Sequence, residues 1–299
     1  MNNSLIREIL KGIPEERVRG NVPLAPFTTY RCGGPADWLI LPEEEEEALL
    51  IGSRCTSAGM PLAVLGGGSN VLIGDRGIRG IVLVTRHLNR LTITRDGLTG
   101  GAGTPLRTVM KESLRNGLSG IEFLVGIPGT LGGATVMNAG LKKEWLSAGI
   151  SHVVVCGPTG PETVAAATLP FGYRTSGLEK NLIITITLHL VSAPPDEVKE
   201  RCAEYLRQRT ATQPLTERSA GSVFKNPPGL SAGRIIDECG LKGYAMGDAR
   251  VSERHANFIV NGGNASADDI RRVMAHVQET VARRRAVTLE PEIRFMGEF

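Results

Sequence analysis

At 299 residues the chain has room for two or three domains at ~100–200 residues each, and for well-filled cores. Hydrophobic residues at 41% and charged residues at 22% make an ordinary globular composition and exclude a mainly disordered chain. A formal net charge of +3 argues against a dedicated nucleic-acid binder, and aromatics at 4% leave the cores to Leu, Ile, Val and Ala.

Five cysteines, Cys32, Cys55, Cys156, Cys202 and Cys239, lie far apart with no metal-ligand spacing. An odd count without a framework points to reduced thiols in a reducing compartment. The five histidines are scattered, and none is assigned a metal. Residues 1–20 mix charged and apolar side chains, so no signal peptide is expected. No run of ~18 apolar residues marks a membrane span. The expectation is a cytoplasmic protein.

In chain order, residues 5–19 read as a short amphipathic helix with Leu5, Ile9 and Leu10 on one side. Pro23 and Pro26 then force an extended segment. Glu43 to Ala58 reads as a helix whose glutamates gather at its start, where they suit the helix dipole. Pro61–Leu65 and Ile81–Thr85 read as strands, so residues 1–85 alternate strand and helix as a small α/β unit. Leu91–Thr99 reads as a hairpin about Asp96-Gly97, and Pro105–Asn116 as a helix striped by Leu106, Val109, Met110 and Leu114.

Ser151–Cys156 and Asn181–Val191 are β-rich. The second opens on Leu182-Ile183-Ile184 and then alternates, the pattern of a strand buried on both faces at first and on one face later. Ala193-Pro194-Pro195 marks a boundary before an amphipathic helix carrying Val198, Cys202, Tyr205 and Leu206. Ser266 is a good N-cap, with Asp269 three residues on, for a helix striped by Ile270, Val273, Met274, Val277 and Val281. Arg283-Arg284-Arg285 reads either as the end of that helix or as an anion contact. The last strand is expected over Val287–Phe295, with Glu290, Glu292 and Arg294 on one face.

Two glycine clusters stand out: Gly66, Gly67 and Gly68 with Ser69 and Asn70 after a strand, and the run from Gly126 to Ala134. Glycine lets a backbone approach a ligand closely and turn N–H groups toward phosphate oxygens. No complete G-x-G-x-x-G opens a helix after a strand, and no G-K-[ST] occurs, so neither the Rossmann nor the P-loop motif is present. Each cluster alone also reads as a tight turn; two of them point to one extended nucleotide-like ligand.

Three polar segments follow. Tyr173 and Arg174 set an aromatic ring beside a cation fit for a carboxylate or phosphate, or simply for solvent. Gly221 to Pro228 holds Ser222, Lys225 and Asn226; it reads equally as a capped loop or as a proton donor among substrate-binding groups. Near the end, Glu292 reads as a solvated strand residue or as a partly buried acid that stays protonated.

Taken together, these segments resemble the UDP-N-acetylenolpyruvoylglucosamine reductase (MurB) family. The resemblance runs from about Pro26 to Gly297. It is carried by TTYRCGGPA at 28–36, LGGGSN at 65–70 and GIPGTLGGATVMNAG at 126–140, then by Tyr173-Arg174, GSVFKNP at 221–227, Arg254-His255-Ala256-Asn257-Phe258 and LEPEIRF at 289–295. Leu141-Lys142-Lys143-Glu144-Trp145 departs from the pattern where many relatives continue with small or aromatic residues. With no extra tyrosine-bearing loop evident, the shorter family subtype fits.

The resemblance implies an α+β fold: a two-subdomain FAD-binding module of the FAD-linked oxidase (PCMH-like) type, with a third α/β domain for substrate. Residues 1–85 and 86–193 would hold FAD noncovalently, residues 287–299 would return to the second subdomain, and 194–286 would bind the UDP-sugar. Implied FAD contacts are Gly66, Gly67, Gly68, Ser69 and Asn70, then Gly126, Ile127, Pro128, Gly129, Thr130, Gly132, Gly133, Ala134 and Asn138. Implied catalytic residues are Arg174, Ser222 and Glu292; Tyr173, Lys225, Asn226, His255 and Asn257 would bind substrate. The implied activity is NADPH-driven reduction of UDP-N-acetylglucosamine enolpyruvate by a monomer, in peptidoglycan precursor synthesis. An FAD-linked alcohol or hydroxy-acid oxidase is the alternative, and a nucleotide-sugar-binding regulator the non-enzyme reading.

Overall fold

The computed structural model describes residues 3–141 and 144–299. They divide into two units interleaved along the chain: residues up to Gly20 with Trp38–Gly67 and Gly80–Arg207, and Asn21–Asp37 with Gly68–Arg79 and Gln208–Phe299.

In the first unit five antiparallel strands stand in the order Gly160–Ala165, Ile150–Gly157, Ile183–His189, Gly97–Gly101 and Leu91–Thr94. The central strand behaves as its sequence pattern implies. Leu182 and Ile184 join one core with Ile40, Ile51 and Leu83, while Ile183, Ile186 and Leu188 join a second with Val109, Phe123 and Leu131. A sheet with apolar side chains on both faces needs cover on both, and the two cores supply it. Leu62–Leu65 and Ile78–Val84 pair in parallel, Leu62 opposite Ile81. Helix Glu45–Ser57 starts with a capping box between Glu44 and Glu47. Arg17 also bonds the Glu47 carboxylate at 2.8 and 2.7 Å, so the acidic run is a helix start.

The second unit centres on helix Ala267–Arg285 over the antiparallel strands Ala245–Met246, Ala249–Val251 and Ile259–Asn261. Its stripe, Ile270, Val273, Met274, Val277 and Val281, is at most 2% exposed. Each such side chain contributes about 1.5–3 kcal/mol through burial. Ser266 and Asp269 form the expected capping box, and the Asp75 carboxylate accepts from Ala267 N and Asp268 N, both at 2.9 Å. At the other end Arg284 donates to the Cys239 carbonyl at 2.7 Å and Arg285 pairs with Glu238 at 3.1 Å, so the triple-arginine run closes a helix.

Two elements differ from expectation. The first helix covers only Asn3–Leu10; Gly12 at φ +83° and then Pro14 end it, and a strand begins at Val18. The terminal strand is only Arg294–Met296, paired in parallel with Val71–Ile73. Pro291 lacks an N–H, and Glu292 N turns aside to the Val223 carbonyl at 2.7 Å. Pro291 bridges Phe224 in antiparallel fashion, and Leu289 and Ile293 are buried while Glu290, Glu292 and Arg294 are not.

Candidate active site

Within the first unit the two glycine clusters touch. A Cβ on Gly67 would stand 2.6 Å from Gly129 Cα, and one on Gly66 would stand 2.6 Å from Thr130 Oγ1. Only glycine permits this approach. Thr130 caps the short helix Leu131–Val136, its hydroxyl accepting from Gly133 N at 3.3 Å. Gly126, Gly133 and Pro128 lie at the surface, Ile127 and Gly129 are half-buried, and Ala134 is buried. Gly132 packs on Ala102, where a Cβ would meet the Ala102 backbone oxygen at 2.8 Å. Its lack of a side chain thus serves helix packing.

Asn138 also bonds neighbouring loops. It is 3% exposed, donates to the Gly172 carbonyl at 3.0 Å and accepts from Ser147 N at 3.0 Å. Both ends of its amide fasten neighbouring loops. The tie to Gly172 fixes a tight turn closed by Gly172 N to Thr175 O at 3.0 Å. Tyr173 and Arg174 occupy that turn, Tyr173 exposed and Arg174 half-buried at φ +62°.

In the second unit Gly68 has φ +61°, and a Cβ there would stand 2.1 Å from the Phe27 carbonyl oxygen. Thr29 N donates to Gly68 O at 3.0 Å, so the TTYRCGG segment seats this loop. Ser69 and Asn70 are half-buried, and Asn70 donates from its amide to the Glu292 carbonyl at 3.2 Å.

The segment that carries Ser222 is clamped from two sides. On one side Asn257 O accepts from Val223 N at 2.9 Å, and the Asn257 amide bonds Phe224 N at 3.0 Å and Phe224 O at 2.8 Å. On the other, Lys225 N donates to Glu290 O at 2.8 Å and Glu292 N to Val223 O at 2.7 Å. Asn257 is 4% exposed and holds the segment. Ser222 and Glu292, distant in sequence, are thereby brought onto bonded neighbouring segments, both half-buried.

Of the remaining candidates, Lys225 Nζ lies 3.4 Å from Glu290 Oε2 in an exposed pair. Asn226 is exposed, and its side-chain oxygen accepts from Ala232 N at 3.0 Å. His255 Nδ1 accepts from Asn257 N at 3.2 Å, and burial holds its imidazole below the ordinary value. That keeps the ring neutral near pH 7.

Sequence reasoning gave no role to Trp145 or Asp75. Trp145 sits in the segment that departs from the family pattern, and a lone ring among charges is its only signal. Asp75 has none, since its partners lie nearly two hundred residues on. Lys142 and Lys143, of the same departing segment, lie outside the described residues. Among the described residues no group of His, Cys, Asp and Glu is placed to hold a metal, and no helix is long and apolar enough to cross a membrane.

An FAD-binding-domain family model matches residues 36–155, and one described as UDP-N-acetylenolpyruvoylglucosamine reductase, C-terminal domain, matches residues 213–296. The fold and the glycine cradle thus define a flavoprotein of the FAD-linked oxidase type. The chain is 40% identical over 278 residues to the UDP-N-acetylenolpyruvoylglucosamine reductase of Syntrophotalea carbinolica, covering 92% of this chain and 93% of that one. To that of Moorella thermoacetica it is 42% identical, covering 94% of each. A crystal structure of the reductase (MurB) from Thermus caldophilus superposes with TM-score 0.81 at 39% identity, covering 92% of this chain and 97% of that one. The chain belongs to the UDP-N-acetylenolpyruvoylglucosamine reductase family.

Proposed function

We propose that the chain reduces UDP-N-acetylglucosamine enolpyruvate to UDP-N-acetylmuramate, with FAD bound noncovalently and NADPH as hydride donor. Relatives of that name match nearly its whole length. The observation that carries the reading is the clamp that binds the Ser222 segment to the Glu292 segment. A proton donor and an acid on hydrogen-bonded neighbouring segments suit a step in which a carbon gains a proton while its carboxylate gains charge. Five free cysteines fit a reducing, cytoplasmic setting for peptidoglycan precursor synthesis.

On this reading residues 1–85 and 86–193 hold the cofactor, and residues 194–286 take the UDP-sugar. Gly66 and Gly67, packed against Thr130 and Gly129 with no room for a Cβ, form a cradle of bare backbone, which supports close approach by a pyrophosphate. FAD, when bound, supplies the hydride that it takes from NADPH. Arg174 pairs with the substrate carboxylate through its two-pronged guanidinium and stabilises the charge that builds as the neighbouring carbon is reduced. Glu292, if protonated, donates a hydrogen bond to the same group. Ser222 protonates the carbon that carries the carboxylate, as general acid. Lys225, beside Ser222 in the clamped segment, polarises that hydroxyl.

The test is an absorbance spectrum of the purified protein under exclusion of oxygen. NADPH should bleach the flavin band, and UDP-N-acetylglucosamine enolpyruvate should restore it with stoichiometric UDP-N-acetylmuramate. A colourless protein that cannot be reconstituted with FAD, or bleached flavin that the enol ether leaves unchanged, overturns the proposal.

A further inference from the structure

Gly140 and Trp145 face each other across the antiparallel pair Gly140–Leu141 and Glu144–Trp145. The indole lies against Gly140, where a Cβ would stand 2.4 Å from Trp145 Cε3. The carbonyl of the same Gly140 accepts from Arg174 Nη1 at 3.3 Å. The guanidinium carbon of Arg174 is 5.8 Å from the Trp145 ring centroid and 5.1 Å from that of Tyr173, within cation–π range. The two rings meet edge to face at 5.8 Å. On its other flank the pair is tethered, because the Tyr205 hydroxyl donates to the Glu144 carboxylate.

The backbone adds a second observation. Arg174 sits at φ +62°, a left-handed conformation that residues other than glycine rarely adopt. Glycine would relax that turn, so an arginine there is kept for its side chain. A free arginine side chain carries much rotamer entropy, which binding must overcome. The ring contacts and the bond to the Gly140 carbonyl restrain it.

We infer that Trp145 is a positioning residue for Arg174: the indole and the Gly140 carbonyl hold the guanidinium in one orientation before substrate arrives. The inference rests on the proposed role of Arg174 at the substrate carboxylate. Trp145 itself touches no reacting atom.

The experiment is a double-mutant cycle on the FAD-loaded enzyme. Trp145→Leu keeps apolar bulk and removes the ring. It should retain bound FAD and reduction by NADPH, and slow substrate reduction roughly tenfold. Trp145→Phe, which restores a ring, should recover most of the loss. With Arg174→Met in place, Trp145→Leu should cost nothing further, because no guanidinium remains to be positioned. Equal slowing by Trp145→Leu in both backgrounds overturns the inference alone. Wild-type substrate reduction by Arg174→Met overturns the proposed role of Arg174, and the inference with it. A second readout needs no turnover. The chain has two tryptophans, so Trp38→Phe leaves Trp145 as the sole indole emitter. In apoprotein of that background, Arg174→Met should change the emission of Trp145; an identical spectrum overturns the contact.

Discussion

Ser222→Ala removes a hydroxyl from the clamped segment and leaves the five hydrogen bonds of the clamp unchanged. The fold should survive, and NADPH should still bleach the flavin. Substrate reduction should slow by ~10²–10⁴-fold, the usual worth of a general acid. Rapid-mixing measurement of each half-reaction separates the two, and equal slowing of both would make Ser222 structural. At the carboxylate, Arg174→Ala should weaken substrate binding and slow turnover together, since a guanidinium pairs with the ground state too. Glu292→Ala removes a neutral donor, a loss of about 2.7–4 kcal/mol in the barrier, whereas Glu292→Gln keeps one. Single-turnover substrate reduction should therefore rank wild type, Gln, Ala; a wild-type rate for Glu292→Ala would return Glu292 to the solvated surface. Residue types alone left Ser222, Arg174 and Glu292 with two readings each, and the family resemblance gave them roles. The loop bonds of Asn138 and Asn257 were not readable, because an amide that fastens a loop and an amide that meets a ligand are the same two atoms. Only their partners distinguish them, and those partners lie 34 and 33 residues away.

Helix Ala267–Arg285 was legible to the residue because its cap and its stripe are both local. The extent of the terminal strand was not, since residues 290–292 bond the Val223–Lys225 segment and only Arg294–Met296 pair with Val71–Ile73, partners far away in sequence. A similar non-local join yields a prediction. Ser119, Gly120 and Arg201 all donate to the Glu122 carboxylate, at 2.8, 2.8 and 3.0 Å, linking the Leu118–Ser119 strand to helix Pro195–Thr212. Burial pushes the Glu122 carboxyl up, but these hydrogen bonds together outweigh it and hold it below the usual value. A folded-state pKa below the unfolded one gives stability that is present above the unfolded pKa, about 4.3, and is lost as pH falls through the folded one. Glu122→Gln should accordingly be less stable than wild type at pH 7, and the gap should narrow as pH falls below about 4. Denaturant melts across that range check it; a gap independent of pH would mean the carboxylate charge contributes nothing.

The interleaving of the two units was beyond sequence, because a boundary such as Ala193-Pro194-Pro195 marks one chain crossing and says nothing of the others. The meeting of Gly66 and Gly67 with Gly129 and Thr130 was only half legible: two clusters implied one ligand, but not that each loop needs the other's glycine. Two substitutions separate these requirements. Gly67→Val drives a side chain into the Gly129 backbone, so it should part the loops, lose FAD and lower the stability of the apoprotein. Gly133→Ala is different. Its Cβ would meet nothing closer than Thr130 Oγ1 at 3.5 Å, an ordinary contact, and alanine suits a helix better than glycine by roughly 0.5–1 kcal/mol. The apoprotein should therefore melt at or above the wild-type temperature. If the ligand approaches the surface-exposed Gly133 as the cradle implies, the added methyl group occupies its space and FAD binding should weaken sharply. Bound FAD stabilises by about 2.7 kcal/mol at a hundredfold excess over its Kd, so added FAD should raise the wild-type melting temperature well above that of Gly133→Ala. Equal shifts in the two proteins would place the cofactor away from helix Leu131–Val136 and confine the cradle to the Gly67–Gly129 contact.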